Sequence, residues 1–449
     1  DGSVLGREDM NVKRSQYKIL KRDGQGWHTL YEEEAERPPL GLHGVNQAGT
    51  HLVVTDRGKG QNFTSLYEIS IEDGKWRGPL LQKEGHDIAG LLMDDNRVVY
   101  GVEYSGLVPS YGMFDKAVDE DLGRLTLMAP GAAIRLESWS EDWSRLLLYA
   151  EGSGHSGRFF SYDRNTKEVT PLASARPQIE KEDVADVVTI EYTSRDGLKI
   201  PSILTLPKGV TPETAKNLPT VVLPHGGPEA FDRVGFDWMA QYFASQGYLV
   251  MQPNFRGSTG FGWNFIDAGR GEWGKKMQDD VTDGVLALRK MGWSDPSRTC
   301  IVGWSYGGYS ALAGGAFTPD LYKCVIAGGA VTDLPFLLST EKRDSRNGSW
   351  AYNYWKEVIG DPSKQKKQLQ AVSPRYHAAA FKAPVLLIHG KDDTVVEIAQ
   401  SRRMARALEK ADKQVTFIVQ NNGDHWMSES ETRLEVLKAM GDFLATHLQ

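Results

Sequence analysis

The stretch Gly303-Trp304-Ser305-Tyr306-Gly307-Gly308-Tyr309 decides how the chain is read. An apolar run, Cys300-Ile301-Val302, precedes it, and the small-residue stretch 310–316 follows it. A strand, a tight glycine turn and then a helix former is the setting that pushes a serine hydroxyl out at the carboxyl end of a strand. Gly303 and Gly307 provide clearance there, because a Cβ at either position would strike the adjoining strand or helix. Taken alone, the pattern fits equally well a glycine turn whose serine caps the next helix. The rest of the chain has to separate the two.

Outward from this point the carboxyl-terminal part alternates apolar runs with helical segments. The runs are 220–223, 248–251, 300–302, 324–327, 385–388 and 415–419, and the helices include 238–246, 277–290, 398–410 and 432–447. Val281, Val285 and Leu288 fall at helical spacing. This alternation predicts a mostly parallel, doubly wound sheet with helices on both faces. A hairpin, 187–192 with 199–206 around Arg195-Asp196-Gly197, leads into it. Ligands of such sheets sit at the carboxyl ends of the strands, so the chemistry should follow the runs.

Two of those ends carry it. His389-Gly390-Lys391-Asp392-Asp393 follows one run, and Asn421-Asn422-Gly423-Asp424-His425 follows the other. Serine is a poor nucleophile at neutral pH and needs a base. His425 is the candidate base, and an aspartate must hold its imidazole in one tautomer. The chain order Ser, Asp, His is the α/β-hydrolase order. His377 and His447 lie away from strand ends, and His389 reads as a turn residue packing the acid loop. The glycine turn Pro224-His225-Gly226-Gly227-Pro228 follows the first run. It makes the Gly227 N–H, with that of Tyr306, the candidate oxyanion hole.

Before residue 176 no convincing helix is visible. Strand signals centred on Leu52, Val98 and Leu146 recur about every 45–50 residues, each after a polar turn, the period of a four-stranded blade. The expectation is an all-β, partial β-propeller domain over 1–183, about four blades, followed by an α/β-hydrolase catalytic domain over 184–449. Trp139 and Trp143 read as blade-packing aromatics. An open propeller leaves strand edges, so the missing blades would come from an upstream segment, a second polypeptide or a second copy of the chain. The chain begins Asp1-Gly2-Ser3, without Met and without a signal-peptide pattern, so the expectation is that Asp1 is not the natural start and that either a leader was removed or the chain is a fragment of a longer one.

Composition narrows the class. The chain has 449 residues and a net charge of −7, with no basic run carrying interleaved aromatics, which excludes a nucleic-acid surface. No apolar stretch reaches the length of a membrane span. Cys300 and Cys324, the two cysteines, lie in core strand runs, a setting that favours buried free thiols over a bridge. The compartment stays open between cytoplasm and periplasm.

Several segments then resemble the prolyl oligopeptidase family of serine peptidases. They are Pro253-Asn254-Phe255-Arg256-Gly257-Ser258, Gly271-Glu272-Trp273-Gly274 with Asp279-Asp280-Val281, Ser373-Pro374-Arg375-Tyr376, and His389 to Val396. The resemblance covers about 184–449, and His225-Gly226-Gly227-Pro228 is most similar to the acylaminoacyl-peptidase and bacterial dipeptidyl-peptidase branches. It implies a propeller in front. It places the acid four residues after the strand-end histidine, at Asp393, with Asp392 a solvated neighbour. It also implies an S1 pocket lined by Tyr306, Val331, Leu334 and Val396. Prolyl oligopeptidases themselves carry an arginine where this chain has Val395, which argues against strict proline specificity. The function implied is hydrolysis of short or compact peptides, with no metal or organic cofactor. A lasso peptide isopeptidase of the same family, an esterase or lipase with the same triad, and a non-catalytic binding protein are the alternatives.

Overall fold

The computed structural model describes residues 4–58, 60–344 and 350–448. Asp1, Gly2 and Ser3, with which the sequence opens, lie outside the described residues.

The amino-terminal part is four antiparallel sheets in chain order, of three, four, three and four strands. The first holds Gly6–Asn11, Gln16–Asp23 and Gly26–Glu34, and the second Gly41–Val45, His51–Asp56, Ser65–Ser70 and Trp76–Leu81. The third holds Ile88–Met93, Val99–Tyr104 and Ser110–Met113. The fourth holds Ala132–Trp139, Arg145–Gly152, His155–Asp163 and Glu168–Ser174. Side chains alternate across each strand, so both faces of a sheet can bury apolar residues against neighbouring sheets. One core joins Tyr17 and Ile19 of the first sheet to Val54 and Ile69 of the second. A second joins Val53 and Leu66 to Val99 and Val102 of the third, and another joins Leu92 to Leu146 and Leu148 of the fourth. The indoles of Trp139 and Trp143 stack at 4.5 Å, in the core between the third and fourth sheets.

This part contains a helix that the sequence reading did not expect. Lys116–Leu125 is α-helical, with the Asp115 carboxylate accepting from the Ala117 and Val118 N–H groups. Val118, Leu122 and Leu125 fall on one face and close the core of the third and fourth sheets. The segment is only about three turns long amid strong strand signals, and tertiary burial stabilises it.

The carboxyl-terminal part is an eight-stranded sheet. Its strands are β1 (Val187–Thr193), β2 (Lys199–Thr205), β3 (Leu218–Val222), β4 (Leu249–Pro253), β5 (Ser294–Trp304), β6 (Cys324–Gly328), β7 (Val385–Gly390) and β8 (Val415–Gln420). The spatial order is β1-β2-β4-β3-β5-β6-β7-β8. β1, β2 and β4 pair antiparallel, and the rest pair parallel. Two large cores cover opposite faces, one including Val281, Leu312 and Tyr309, the other Phe243, Val436 and Leu444. Burial on both faces is why β4, β6 and β7 are buried at every residue and read as unbroken apolar runs. This is an α/β-hydrolase sheet. No helix among the described residues is long and apolar enough to cross a membrane.

The cysteine expectation is corrected. Cys300 of β5 and Cys324 of β6 are register partners in the parallel pair and are joined by a disulfide, with 4.8 Å between Cα atoms. Both were rightly placed in buried core strands. The pairing follows from the adjacency of β5 and β6, which the apolar runs do not encode.

The two parts meet through specific hydrogen bonds. Trp263 N–H donates to Asn62 O at 2.8 Å, and Gly262 N–H to Asp87 Oδ2 at 3.0 Å. Ser105 Oγ donates to Gly260 O at 2.8 Å. Between them lies a cavity of about 1350 Å³, lined on one side by Tyr31, Arg37 and Arg57 and on the other by Arg270, Tyr354 and Glu357.

Candidate active site

Ser305 is the residue between β5 and the helix Tyr306–Phe317, with φ 59° and ψ −121°. A left-handed backbone costs a non-glycine residue of order 1–3 kcal/mol and persists only where surroundings enforce it. The surroundings are glycines. A Cβ on Gly303 would come within 2.1 Å of Gly307 O, and one on Gly307 within 2.1 Å of Pro224 O. Ser305 N–H donates to Gly328 O at 2.9 Å, which ties the turn to the end of β6. A helix-capping serine accepts from its own helix. Ser305 makes no side-chain cap, so the capping alternative does not describe it.

Asp393 stands three residues beyond the end of β7 and is buried. Its Oδ1 accepts from Val395 N–H at 2.9 Å and Val396 N–H at 2.8 Å. Its Oδ2 lies 2.7 Å from His425 Nδ1. Burial pushes the carboxyl up, but the hydrogen bonds from His389, His425 and Val396 outweigh it and hold Asp393 well below the usual carboxylate range. An ionised carboxylate only accepts, so His425 Nδ1 carries the proton and Nε2 is left as a base. Asp392 is exposed, its backbone N–H bonded to Gly423 O. The structure thus brings His425 to Asp393 and leaves Asp392 in solvent.

The loop carrying His425 leaves β8 and passes over the end of β7. A Cβ on Gly390 would come within 1.9 Å of Gly423 O, so the two backbones touch. Trp304, the residue before the serine, fixes the loop from the other side, its indole Nε1–H donating to His425 O at 2.8 Å. To do so the indole crosses the end of β6, where a Cβ on Gly328 would lie 2.0 Å from the ring. The sequence reading gave Trp304 no role. The signal available was the pair Gly328-Gly329 at a strand end.

His389 is a strand residue, not the turn residue expected, and it is fully buried. Its side chain does pack the acid loop. Nε2 lies 2.8 Å from Val396 O, which can only accept, so Nε2 carries the proton, and Nδ1 accepts from Ser401 Oγ at 2.7 Å.

Gly226, the residue before Gly227, lies beside the elbow, since a Cβ on it would be 3.5 Å from Ser305 Cβ. The first intrahelical bond is Tyr309 N–H to Ser305 O, which leaves the Tyr306 N–H outside the helix's own bonding. The Gly227 N–H has no hydrogen-bond partner among the described residues. His225 stacks on Phe255 at 4.4 Å and lies 2.9 Å from Ser258 Oγ through Nε2. Burial lowers its pKa to about 4, against the Gly226 carbonyl, which raises it, so the ring is neutral near pH 7. Tyr306, Val331, Leu334 and Val396 all belong to one buried core. Phe255 and Trp273 flank Tyr306 at 5.1 and 4.5 Å, contacts for which the motifs quoted above gave residues but no role.

With this geometry in place, comparison with known proteins is informative. Residues 234–449 match the prolyl oligopeptidase family. Dipeptidyl aminopeptidase BIII of Pseudoxanthomonas mexicana is 32% identical over 441 residues, covering 95% of this chain and 62% of its own length. Dipeptidyl peptidase family member 6 of Caenorhabditis elegans is 28% identical over 409 residues, 84% of this chain and 54% of its own length. The chain therefore spans little more than half the length of these curated relatives. Among solved structures, a puromycin-hydrolyzing peptidase of Mycobacterium tuberculosis superposes with a TM-score of 0.77 at 20% identity, over 98% of this chain and 66% of that one. The acylaminoacyl peptidase of Pyrococcus horikoshii gives 0.75 at 20% identity, over 99% and 69%. These likenesses extend through the β part and establish a shared architecture, a β domain followed by an α/β hydrolase. The strand-end serine, the aspartate–histidine pair and the match over residues 234–449 all lie in the same part of the chain, and that part is similar to the prolyl oligopeptidase family.

Proposed function

We propose that this protein is a serine peptidase acting on short peptides through an acyl-enzyme. The observation that carries the reading is the 2.7 Å contact from His425 Nδ1 to buried Asp393, with a serine held at positive φ at another strand end on the same edge of the sheet. Ser305 Oγ attacks the scissile carbonyl carbon while its proton passes to His425 Nε2. The carbonyl oxygen becomes an oxyanion held by the Gly227 and Tyr306 N–H groups. When the C–N bond breaks, His425 returns the proton to the departing amine. Water then repeats the sequence and frees Ser305. Asp393, kept ionised, stabilises the imidazolium in both halves.

The acyl side chain would pack against Tyr306, Val331 and Val396, which keep a trace of exposure, with Leu334 fully buried in the same core. The four antiparallel sheets, stacked face to face in chain order, support reading the β domain over 1–183 as consecutive propeller blades that limit entry to small substrates. The names of the two curated relatives make release of dipeptides from a free amino terminus the first specificity to test. Digestion of a peptide library read by mass spectrometry, with fluorophosphonate labelling, should show peptide-bond cleavage and a single label on Ser305. A protein that cleaves only esters, or takes no label, contradicts the reading.

A further inference from the structure

The acyl side of the site is accounted for, and the leaving-group side is not. Trp426, directly after His425, is 73% exposed, although a tryptophan carries a large apolar surface. Val395, two residues after Asp393, is 46% exposed. Scattered exposed apolar residues need no explanation, but these two stand next to the acid and the base.

The Trp426 backbone is held in place, and its indole meets the base. Its ring stands edge-on to the His425 imidazole, with 5.3 Å between centroids and an interplanar angle of 88°. Asp424 Oδ1 accepts from Trp426 N–H at 3.1 Å and Ser428 N–H at 2.9 Å, which closes the turn around it. The preceding carbonyl is held by Trp304, and the following residue, Met427, is buried in the core on one face of the sheet. The candidate acyl pocket belongs to the core on the opposite face. Trp426 itself belongs to neither core and stands exposed beside the base, at no benefit to the apolar core.

Chemistry says what passes there. The group that His425 protonates is the departing amine, which must come within about 3 Å of Nε2. That nitrogen then lies within about 10 Å of the indole, the reach of the leaving residue's own side chain. We propose that Trp426, with Val395 beside the acid, forms an apolar platform for the first residue on the leaving side of the scissile bond, and that it selects substrates with an aromatic or large aliphatic residue there. A rigid aromatic face is suited to this because little side-chain entropy is lost on binding. The inference rests on the acyl-enzyme reading above.

The test uses the acyl-enzyme itself. The protein is acylated with glycyl-phenylalanine methyl ester, which has the free amino terminus of the dipeptide reading and whose leaving methanol has no side chain. Added glycinamide, leucinamide or phenylalaninamide then competes with water for the acyl group. Transfer to phenylalaninamide should exceed transfer to glycinamide by about tenfold. Trp426→Ala should bring the two to within about twofold, and Trp426→Phe should keep most of the preference. Methyl ester hydrolysis and fluorophosphonate labelling should stay within about twofold in both variants, which a general distortion of His425 would not allow. Acylation without preference among the amides, or a Trp426→Ala variant that keeps it, overturns the platform and leaves the peptidase reading intact. A protein that is not acylated at Ser305 overturns the peptidase reading and the platform with it.

Discussion

The two parts of the molecule use β-structure in opposite ways. In the amino-terminal part, sheets of three or four antiparallel strands face one another, and outer strands such as Trp76–Leu81 are largely exposed. In the carboxyl-terminal part a single sheet of eight strands is sealed by helices on both faces, and β6 and β7 expose nothing. The first arrangement spreads stability over many similar interfaces. The second concentrates it, and leaves only the strand ends free. Ser305, Asp393 and His425 stand at three of those ends, so the rigidity of the sheet becomes the precision of the site.

The largest expected effects test whether chemistry is confined to those ends. Ser305→Ala and Asp393→Asn should each lower kcat by about 10⁴, with the melting temperature of Ser305→Ala near that of the parent. Asp392→Asn, one residue away but in solvent, should change kcat by less than about threefold. Steady-state kinetics on any cleaved peptide decides it, and the reverse ranking of the two aspartates would move the acid to Asp392.

Next comes the support beneath the histidine. Trp304→Phe keeps an aromatic ring over Gly328 but removes the N–H that holds His425 O. It should lower kcat by about tenfold with little change in KM, because the base is positioned less well while the acyl pocket is untouched. An unchanged kcat would show that contact with Gly423 alone orients the loop.

A smaller effect is expected where the two parts meet. Asp87 accepts from Thr64 N–H on its own side and from Gly262 N–H on the other, both at 3.0 Å. Asp87→Ala leaves both donors unpaired at a cost of about 1–3 kcal/mol. Calorimetry should show the β part melting earlier, as a transition separate from the catalytic part, with kcat reduced only a few fold. A single transition at the parental temperature would mean that the other contacts suffice.

The smallest concerns Asp232, partly buried near the oxyanion turn, with Oδ2 sealed from water and without a hydrogen-bond partner. Burial first, then the charge of Asp237, pushes its carboxyl up to about 8. The folded state therefore keeps a proton that the unfolded chain releases near pH 4, so this group's contribution to stability falls as pH rises from about 4 to about 8. Asp232→Asn removes that dependence. Its melting temperature should exceed the parent's by a few degrees at pH 9 and match it near pH 4. Equal values at pH 9 would place Asp232 in contact with water.

Much of this was legible from residue order. Apolar runs alternating with helices encode a parallel sheet because each element's pattern is set by its own burial, a local property. The serine turn, and the acid and histidine at later strand ends, follow from that alternation, with the spacing from His389 selecting Asp393 by family resemblance. The segment Lys116–Leu125 was missed even though Val118, Leu122 and Leu125 stand at helical spacing after Asp115, because the surrounding strand rhythm outweighed a short helix.

Tertiary structure alone decided the rest, and each case involves residues brought together by neighbouring strands. Cys300 and Cys324 are bonded because β5 and β6 are adjacent and in that register. The proton of His389 sits on Nε2 because the Val396 carbonyl folds back onto it. Trp304 reaches His425 because β6 ends in two glycines that let an indole cross. Sequence by itself determined which residues form strands, which form turns and in what order the chemical groups appear, since those depend on near neighbours along the chain. Strand order, register and the clearance above a strand end depend on residues far apart in sequence, and they are defined only once the sheet has formed.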